Sequence, residues 1–174
     1  MTPRVLITGS SGLVGVALGS ALRERGLDVV RLDLRASGEA QGDVRGPQRM
    51  HDAAAHVDGI VHLAVVSRVA WDQQDPQLCW ETNVVGLRNA LEAAVASGKA
   101  FWLVFASSRE VYGQPDSLPV TEATARRPVN VYGRTKLEGE RLFADTRRSS
   151  LRACTVRLSN VYGSTGDHAD WGIP

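Results

Sequence analysis

The 174-residue sequence has no surplus of either charge. Its 20 Lys and Arg stand against 19 Asp and Glu, for a net charge of +1, with no basic block. That removes any electrostatic reason to expect nucleic acid or an anionic membrane surface as a partner. Cysteine is scarce. Cys79 and Cys154 lie far apart and fit neither a metal nor a redox spacing, so they read as ordinary thiols in the reducing cytoplasm. No apolar run is long enough to span a membrane. The apolar stretch Leu13–Leu22 is no secretory leader: it follows a strand and glycine turn, and Arg23-Glu24-Arg25 follows it where small residues would be needed. Repeats and low-complexity tracts are missing too. The histidines make no metal set. His51 and His56 point in different directions from one expected helix, His62 sits inside an expected strand as a packed residue, and His168, near Asp170, is isolated.

What remains is an ordinary globular composition, 43% hydrophobic and 22% charged, long enough for one domain with a sizeable core. The chain is organised around Val5-Leu6-Ile7-Thr8-Gly9-Ser10-Ser11-Gly12-Leu13-Val14-Gly15. A short apolar run, rich in β-branched residues, predicts a buried parallel strand. Glycines follow at 9, 12 and 15. From Leu13 the apolar positions recur at helical spacing through Leu22. Strand, glycine turn and helix start make a phosphate site, because backbone can approach the ligand and free N–H groups face it.

The remaining pattern alternates. Arg25-Gly26 stops the first helix, and Asp28–Leu34 reads as a second strand ending near Asp33. The polar segment Ala36–Pro47 reads as loop, and Pro47–His56 as a short helix. Gly59–Val65 is a third strand. A long helix is expected from Pro76 to Ser97, ended by Gly98. Phe101–Ala106 is a fourth strand, Gly113–Pro128 a loop, Val131–Arg147 a helix and Arg152–Leu158 a fifth strand. Strands alternating with helices predict a doubly wound, Rossmann-type parallel sheet covered on both faces. Such folds place chemistry just past the carboxyl ends of the strands.

Several distinctive residues fall there. Asp33 lies about twenty residues beyond the glycine loop, where a carboxylate can accept both adenosine ribose hydroxyls and repel the 2′-phosphate of NADP. Arg35 is the one nearby group that could accommodate that phosphate. Tyr132 and Lys136 stand four apart on one helical face. An ammonium beside a phenol favours the phenolate, as acid–base work on a hydroxyl or carbonyl requires. Ser107 and Ser108 close the fourth strand, where a hydroxyl can hydrogen-bond the same substrate oxygen.

Six segments occur in a telling order: the glycine loop, Val61-His62-Leu63-Ala64, Thr82-Asn83-Val84-Val85-Gly86, Ser107-Ser108-Arg109-Glu110-Val111-Tyr112-Gly113, the Tyr132…Lys136 pair, and Arg157-Leu158-Ser159-Asn160-Val161-Tyr162-Gly163. Together they resemble the extended short-chain dehydrogenases/reductases, specifically the NAD-dependent epimerases and dehydratases of nucleotide sugars. The glycine spacing G-x-x-G-x-x-G agrees with that resemblance.

The resemblance implies a cofactor site for NAD, with NADP disfavoured. Gly9, Gly12 and Gly15, with Ser11, Leu13 and Val14 between them, would cradle the pyrophosphate. Asp33 would hold the ribose, and Asp43 and Val44 would lie along the adenine. Leu63, Ala64 and Val65 would line the cofactor channel, and Asn83 would support the site. Tyr132 would be the catalytic base. Lys136 would bind the nicotinamide ribose and lower the tyrosine pKa, Ser108 would orient the reacting hydroxyl, and Asn160 would approach the substrate. The implied activity is nucleotide-sugar epimerisation through a keto intermediate.

Arg109 stands where dehydratases of this family carry Asp, which ranks dehydration behind decarboxylation and plain dehydrogenation. Glu110 matches an acidic residue of dehydratases and decarboxylases; its alternative role is an ion pair with Arg109 or Arg134. A non-catalytic NAD(P)-binding regulator is the competing class, and the intact Ser108, Tyr132 and Lys136 set favours an enzyme. The family commonly dimerises through two helices, here 76–97 and 131–147, with Leu137 and Leu142 as apolar candidates. Family members are usually much longer, so residues 1–174 are expected to be the NAD-binding domain, with the C-terminal substrate lobe largely absent.

Overall fold

The computed structural model describes residues 2–66, 75–97, 101–146 and 151–163. Gly98, Arg147, His168, Asp170 and residues 171–174 lie outside the described residues, and with them two expected helix ends and one histidine.

β1 (Arg4–Thr8), β2 (Asp28–Leu32), β3 (Gly59–His62), β4 (Trp102–Ser108) and β5 (Arg152–Leu158) form one parallel sheet in the order β2-β1-β3-β4-β5. The apolar runs are continuous because both faces of the inner strands are covered. Leu6 joins Ile60, Leu103 and Phe105 in a core with Met50 of α2 (Pro47–Ala54), Leu87 and Leu91 of α4 (Gly86–Ala96) and Phe143 of α5 (Val131–Thr146). Ile7, one residue on, points the other way and reaches the Cβ position of Gly19 in α1 (Leu13–Glu24), 3.8 Å away. Each such side chain, fully buried, contributes about 1.5–3 kcal/mol.

Five expectations are corrected. β2 ends at Leu32, and Ala36–Pro47 is not plain loop. A 3-10 turn at Gly38–Ala40 folds it back, so that Asp33 bridges Gln41, through Asp33 N–H to the Ala40 carbonyl and Gly42 N–H to the Asp33 carbonyl. No apolar period marks such a turn. β3 stops at His62 because Ala64 N–H turns from the ladder to the Thr8 hydroxyl. β4 runs on to Ser108. The helix from 76 is interrupted: α3 (Pro76–Trp80) passes into a π turn at Glu81–Val85 before α4. That turn buries Asn83 and Val84 together, as single-turn π insertions at functional sites do.

The glycine turn is set by close approach. Gly9 has φ +69°, and a Cβ there would lie 2.7 Å from the Ala64 nitrogen at the end of β3. A Cβ on Gly15 would meet the Gly9 carbonyl oxygen and lie 2.8 Å from Ser10 Cα, both backbone. Gly19, in the same helix, meets nothing nearer than 3.6 Å. Gly15→Ala is therefore expected to lower stability by about 1–3 kcal/mol. Gly19→Ala is expected to raise it by up to about 1 kcal/mol through helix propensity. Thermal melts of the two variants check this contrast.

Candidate functional site

The carboxyl ends of β1, β2, β3 and β4 converge around the glycine turn, and the residues singled out from the sequence divide into two groups there. The first group lies on the β1–β2 side. Asp33 is nearly buried, with Ser11 N–H on Oδ2 at 2.9 Å and Arg35 N–H on Oδ1 at 2.8 Å. Arg35 Nε stands 3.7 Å from the same carboxylate. Gly12 caps α1 without a side-chain hydrogen bond, so Leu13 and Val14 open the helix with no side chain on their N–H groups. Leu63, Ala64 and Val65 follow β3, half-buried, with the Leu63–Ala64 backbone against Gly9. Asp43 is held by Arg45 through Nε and Nη2, and that guanidinium keeps its carboxyl below the usual range. Val44 follows Asp43 on the chain. Its side chain is 5% exposed and packs into the core against Gly86. It has turned inward because Gly86 leaves room there, and because Asn89 anchors the Val44 carbonyl.

The second group lies between β4 and α5. Lys136 is buried, donates from Nζ to the Ala106 carbonyl at 2.7 Å and sits 4.9 Å above the Phe105 ring. Ser108 is hydrogen-bonded to Tyr132 and accepts from Glu110 N–H at 3.2 Å. Lys136 Nζ lies 5.7 Å from the Tyr132 ring centroid.

Here the expected tuning is corrected. Burial pushes the Tyr132 phenol up from its ordinary value, Ser108 pulls it down, and the Glu110 and Cys79 charges push it further up. Burial also lowers Lys136 to about 7, so its ammonium is half lost at neutral pH. Two groups in one dry place each resist their charged form. His62, beneath them, is lowered to about 3 by burial and then by Lys136. Its Nδ1 meets the Thr8 hydroxyl at 3.0 Å, while Nε2 and the Ser10 hydroxyl are buried with no hydrogen-bond partner among the described residues.

Asn83 ties the two groups together. Its Oδ1 accepts from Val66 N–H at 2.8 Å, and its Nδ2 donates to the Val66 carbonyl and to the Thr135 hydroxyl at 2.9 Å. Glu110 pairs with Arg109 at 3.6 Å, as the ion-pair alternative expected. Its other oxygen accepts from Asn130 Nδ2 at 2.8 Å, while Asn130 Oδ1 accepts from Gly133 N–H at the start of α5. Asn160 stands exposed beyond β5, apart from this network. Sequence reasoning missed Asn130, although a residue of that type just before Val131 is a helix N-cap signal. It missed Thr8 and Thr135 because their partners His62, Ala64 and Asn83 are distant in sequence.

The unfolded chain holds a proton on Lys136 up to its ordinary 10.5, and the folded chain only to about 7. Stability from this group is thus intact above pH 10.5 and lost as pH falls toward 7. Lys136→Met removes that penalty but leaves the Ala106 carbonyl unmet. It is expected to melt higher than the parent by roughly 1–3 kcal/mol at neutral pH. The gap should shrink as pH rises from 7, change sign above 10.5 where only the unmet carbonyl remains, and stay constant below pH 7 in a series of melts.

The model of the NAD-dependent epimerase/dehydratase family matches residues 5–171. A UDP-glucose 4-epimerase of Corynebacterium glutamicum is 33% identical over 177 residues, covering 94% of this chain and 53% of that protein. A short-chain dehydrogenase/reductase superfamily protein from Agrobacterium tumefaciens, solved with bound NAD, is 38% identical with a TM-score of 0.81, covering 88% of this chain and 48% of that one. The UDP-glucose 4-epimerase of Brucella ovis, solved with NAD, reaches a TM-score of 0.86 at 28% identity, over 94% of this chain and 54% of that one. The chain spans about half the length of the curated relatives it matches. A glycine cradle and a Ser–Tyr–Lys cluster, both at the carboxyl ends of one parallel sheet, agree with that match, and the chain belongs to the NAD-dependent epimerase/dehydratase family.

Proposed function

We propose that this chain is the NAD-binding half of a nucleotide-sugar 4-epimerase that acts on a UDP-hexose. The observation that carries the reading is the convergence of Ser108, Tyr132 and Lys136 at the carboxyl end of β4, facing the glycine turn. The cradle fits the cofactor: Cβ atoms at Gly9 and Gly15 would strike backbone, and the first turn of α1 has no side-chain cap. Gly9, Ser11, Gly12, Leu13, Val14 and Gly15 would hold the pyrophosphate, Asp33 the adenosine ribose and Lys136 the nicotinamide ribose. An anionic, nearly buried Asp33 favours NAD over NADP. The named relatives are UDP-glucose 4-epimerases, which supports the sugar class.

NAD, when bound, supplies the acceptor and later the donor of the sugar's hydride. The chain's own residues handle the proton. Tyr132 Oη takes it from the sugar hydroxyl and returns it, and Ser108 Oγ orients that same hydroxyl. The charged form of Lys136 steadies the phenolate, and a value of about 7 lets that charge come and go near neutrality. Glu110 is engaged by both Arg109 and Asn130, which favours a structural acceptor over an acid–base group. Epimerisation therefore ranks ahead of dehydration and decarboxylation. The protein is read as cytoplasmic; no helix among the described residues is long and apolar enough to cross a membrane.

Titration calorimetry is expected to show NAD binding that Asp33→Ala weakens at least about tenfold. Product analysis with UDP-glucose and UDP-galactose on the full-length protein should show interconversion. Tyr132→Phe should cut that activity by about 10²-fold or more. NAD binding without any change in the sugar would replace this reading with the regulator, and interconversion that survives Tyr132→Phe would overturn Tyr132 as the base.

A homodimer is part of the same proposal. Leu142 packs inward against the core, leaving Leu78, Trp80 and Val95 as the exposed apolar residues of the 76–97 segment. Sedimentation velocity should find a dimer that Trp80→Glu shifts to monomer.

A further inference from the structure

One buried charge cluster takes no part in the chemistry above. Glu140, on α5 one turn beyond Lys136, has a side chain only 5% exposed. Its Oε1 accepts from Ser107 Oγ at 2.7 Å and Arg157 Nε at 2.8 Å. Its Oε2 accepts from Arg157 Nη2 at 2.8 Å and Arg126 Nη1 at 3.1 Å. Burial alone would raise this carboxyl, but Arg157, Ser107 and Arg126 outweigh it and hold the group low. Arg157 Nη1 also donates to Tyr112 Oη at 2.7 Å and to the Glu122 carbonyl at 3.3 Å.

The five anchor residues are informative. Ser107 adjoins Ser108 and Ala106, whose carbonyl receives Lys136. Arg157 belongs to β5, and Tyr112 closes the 3-10 turn that begins at Arg109. Arg126 and Glu122 lie in the 113–128 loop. One carboxylate thus joins the helix that carries Tyr132 and Lys136 to the strand that carries Ser108, and both to the loop. Buried, bidentate and charge-assisted bonds of this kind are directional, so they set register as well as attraction.

We propose that Glu140 and Arg157 form a positioning clamp that seats Lys136 and Tyr132 against the end of β4 and makes the 113–128 loop move with them. Neither residue touches a reacting atom. The clamp acts through Ser107 and the Ala106 carbonyl on one side, and through Arg126 and the Glu122 carbonyl on the other. Only its effect on turnover rests on the epimerase reading; the seating of Lys136 does not.

The sequence offers an unusually clean probe, because its only lysines are Lys99 and Lys136. Lysine labelled with carbon-13 at Cε gives two resonances, which Lys136→Met assigns. The titratable neighbours whose charges act within this group are His62, Tyr132, Glu110 and Cys79. The parent chain should show Lys136 titrating near 7. By charge alone Glu140→Gln, which removes an anion and leaves the Arg157 and Arg126 guanidiniums unpaired, would lower that midpoint; a rise of about one pH unit or more is therefore the expected sign of water reaching the amine. The variant should also speed amide exchange across 113–128. Arg157→Lys, which keeps a cation but not the bidentate bond, should give a smaller rise of the same sign.

An unchanged Lys136 midpoint in folded Glu140→Gln overturns the clamp, even if the melting temperature falls. Should that variant not fold, Arg157→Lys decides by the same criterion. Arg126→Ala removes only a half-exposed donor and must speed exchange in 113–128; unchanged exchange there overturns the coupling to the loop. In a full-length protein with turnover, Glu140→Gln should lower kcat about tenfold while KM stays within about threefold. Absence of turnover in the parent would count against the epimerase reading and leave the titration result standing.

Discussion

Lys136 is an amine sealed from water, with the Ala106 carbonyl and the Phe105 ring facing it. Much of the domain is arranged to keep it there. α5 can approach β4 this closely because residue 139 is glycine; a Cβ would lie 2.7 Å from the Phe105 ring. The carbonyl that receives the amine belongs to β4, where Ala106 is held in register with Val156 of β5 just past the end of the β3 ladder. The same dryness that lowers Lys136 raises Tyr132. A tyrosine–lysine pair built this way costs the folded state stability, and the apolar core beneath it offsets that cost.

The other half of the site depends on backbone meeting backbone. The turn at Gly9 lies directly on the Leu63–Ala64 backbone, and Ser11 N–H reaches the carboxylate of Asp33. The Thr8 hydroxyl then accepts from Ala64 N–H while meeting His62 Nδ1. From there Asn83 carries the chain of contacts through Val66 to Thr135, beside Lys136. The π turn is what places Asn83 there. The same turn buries Val84 beside it.

This division explains what was legible in the residues. Inner parallel strands are buried on both faces, so β1 and β4 stand out as apolar runs, and the glycine spacing marks the turn between β1 and α1. Tyr132 and Lys136 are legible as a pair because helical geometry makes i and i+4 neighbours. Their tuning was not legible. The i, i+4 rule supplies an ammonium near a phenol, but only the fold supplies the burial that outweighs it. Val44 reads as part of the adenine contact beside Asp43, yet Gly86, far along the chain, gives it a place in the core. The π turn adds a residue to a pattern whose period it hardly disturbs. Glu140 and Arg157 are ordinary surface-type residues in a linear reading, and nothing short of strand order brings them together.

The charges around the site follow one logic. Asp33 is satisfied by backbone N–H groups, Asp43 by Arg45, Glu110 by Arg109 and Asn130, and Glu140 by Arg157, Arg126 and Ser107. His62 stays neutral down to about pH 3. With the neighbouring carboxylates already paired and His62 silent, Lys136 is the group of the Ser–Tyr–Lys cluster whose charge changes near neutral pH. A polar ligand beside it, such as a ribose with two hydroxyls, would replace some of the lost hydration and draw the amine back toward its charged form. That charge would then fall on Tyr132, 5.7 Å away through low-dielectric surroundings, and lower the phenol when a ligand is in place. The phenol of Tyr132 and the amine of Lys136 are thus coupled through the solvation of a single group.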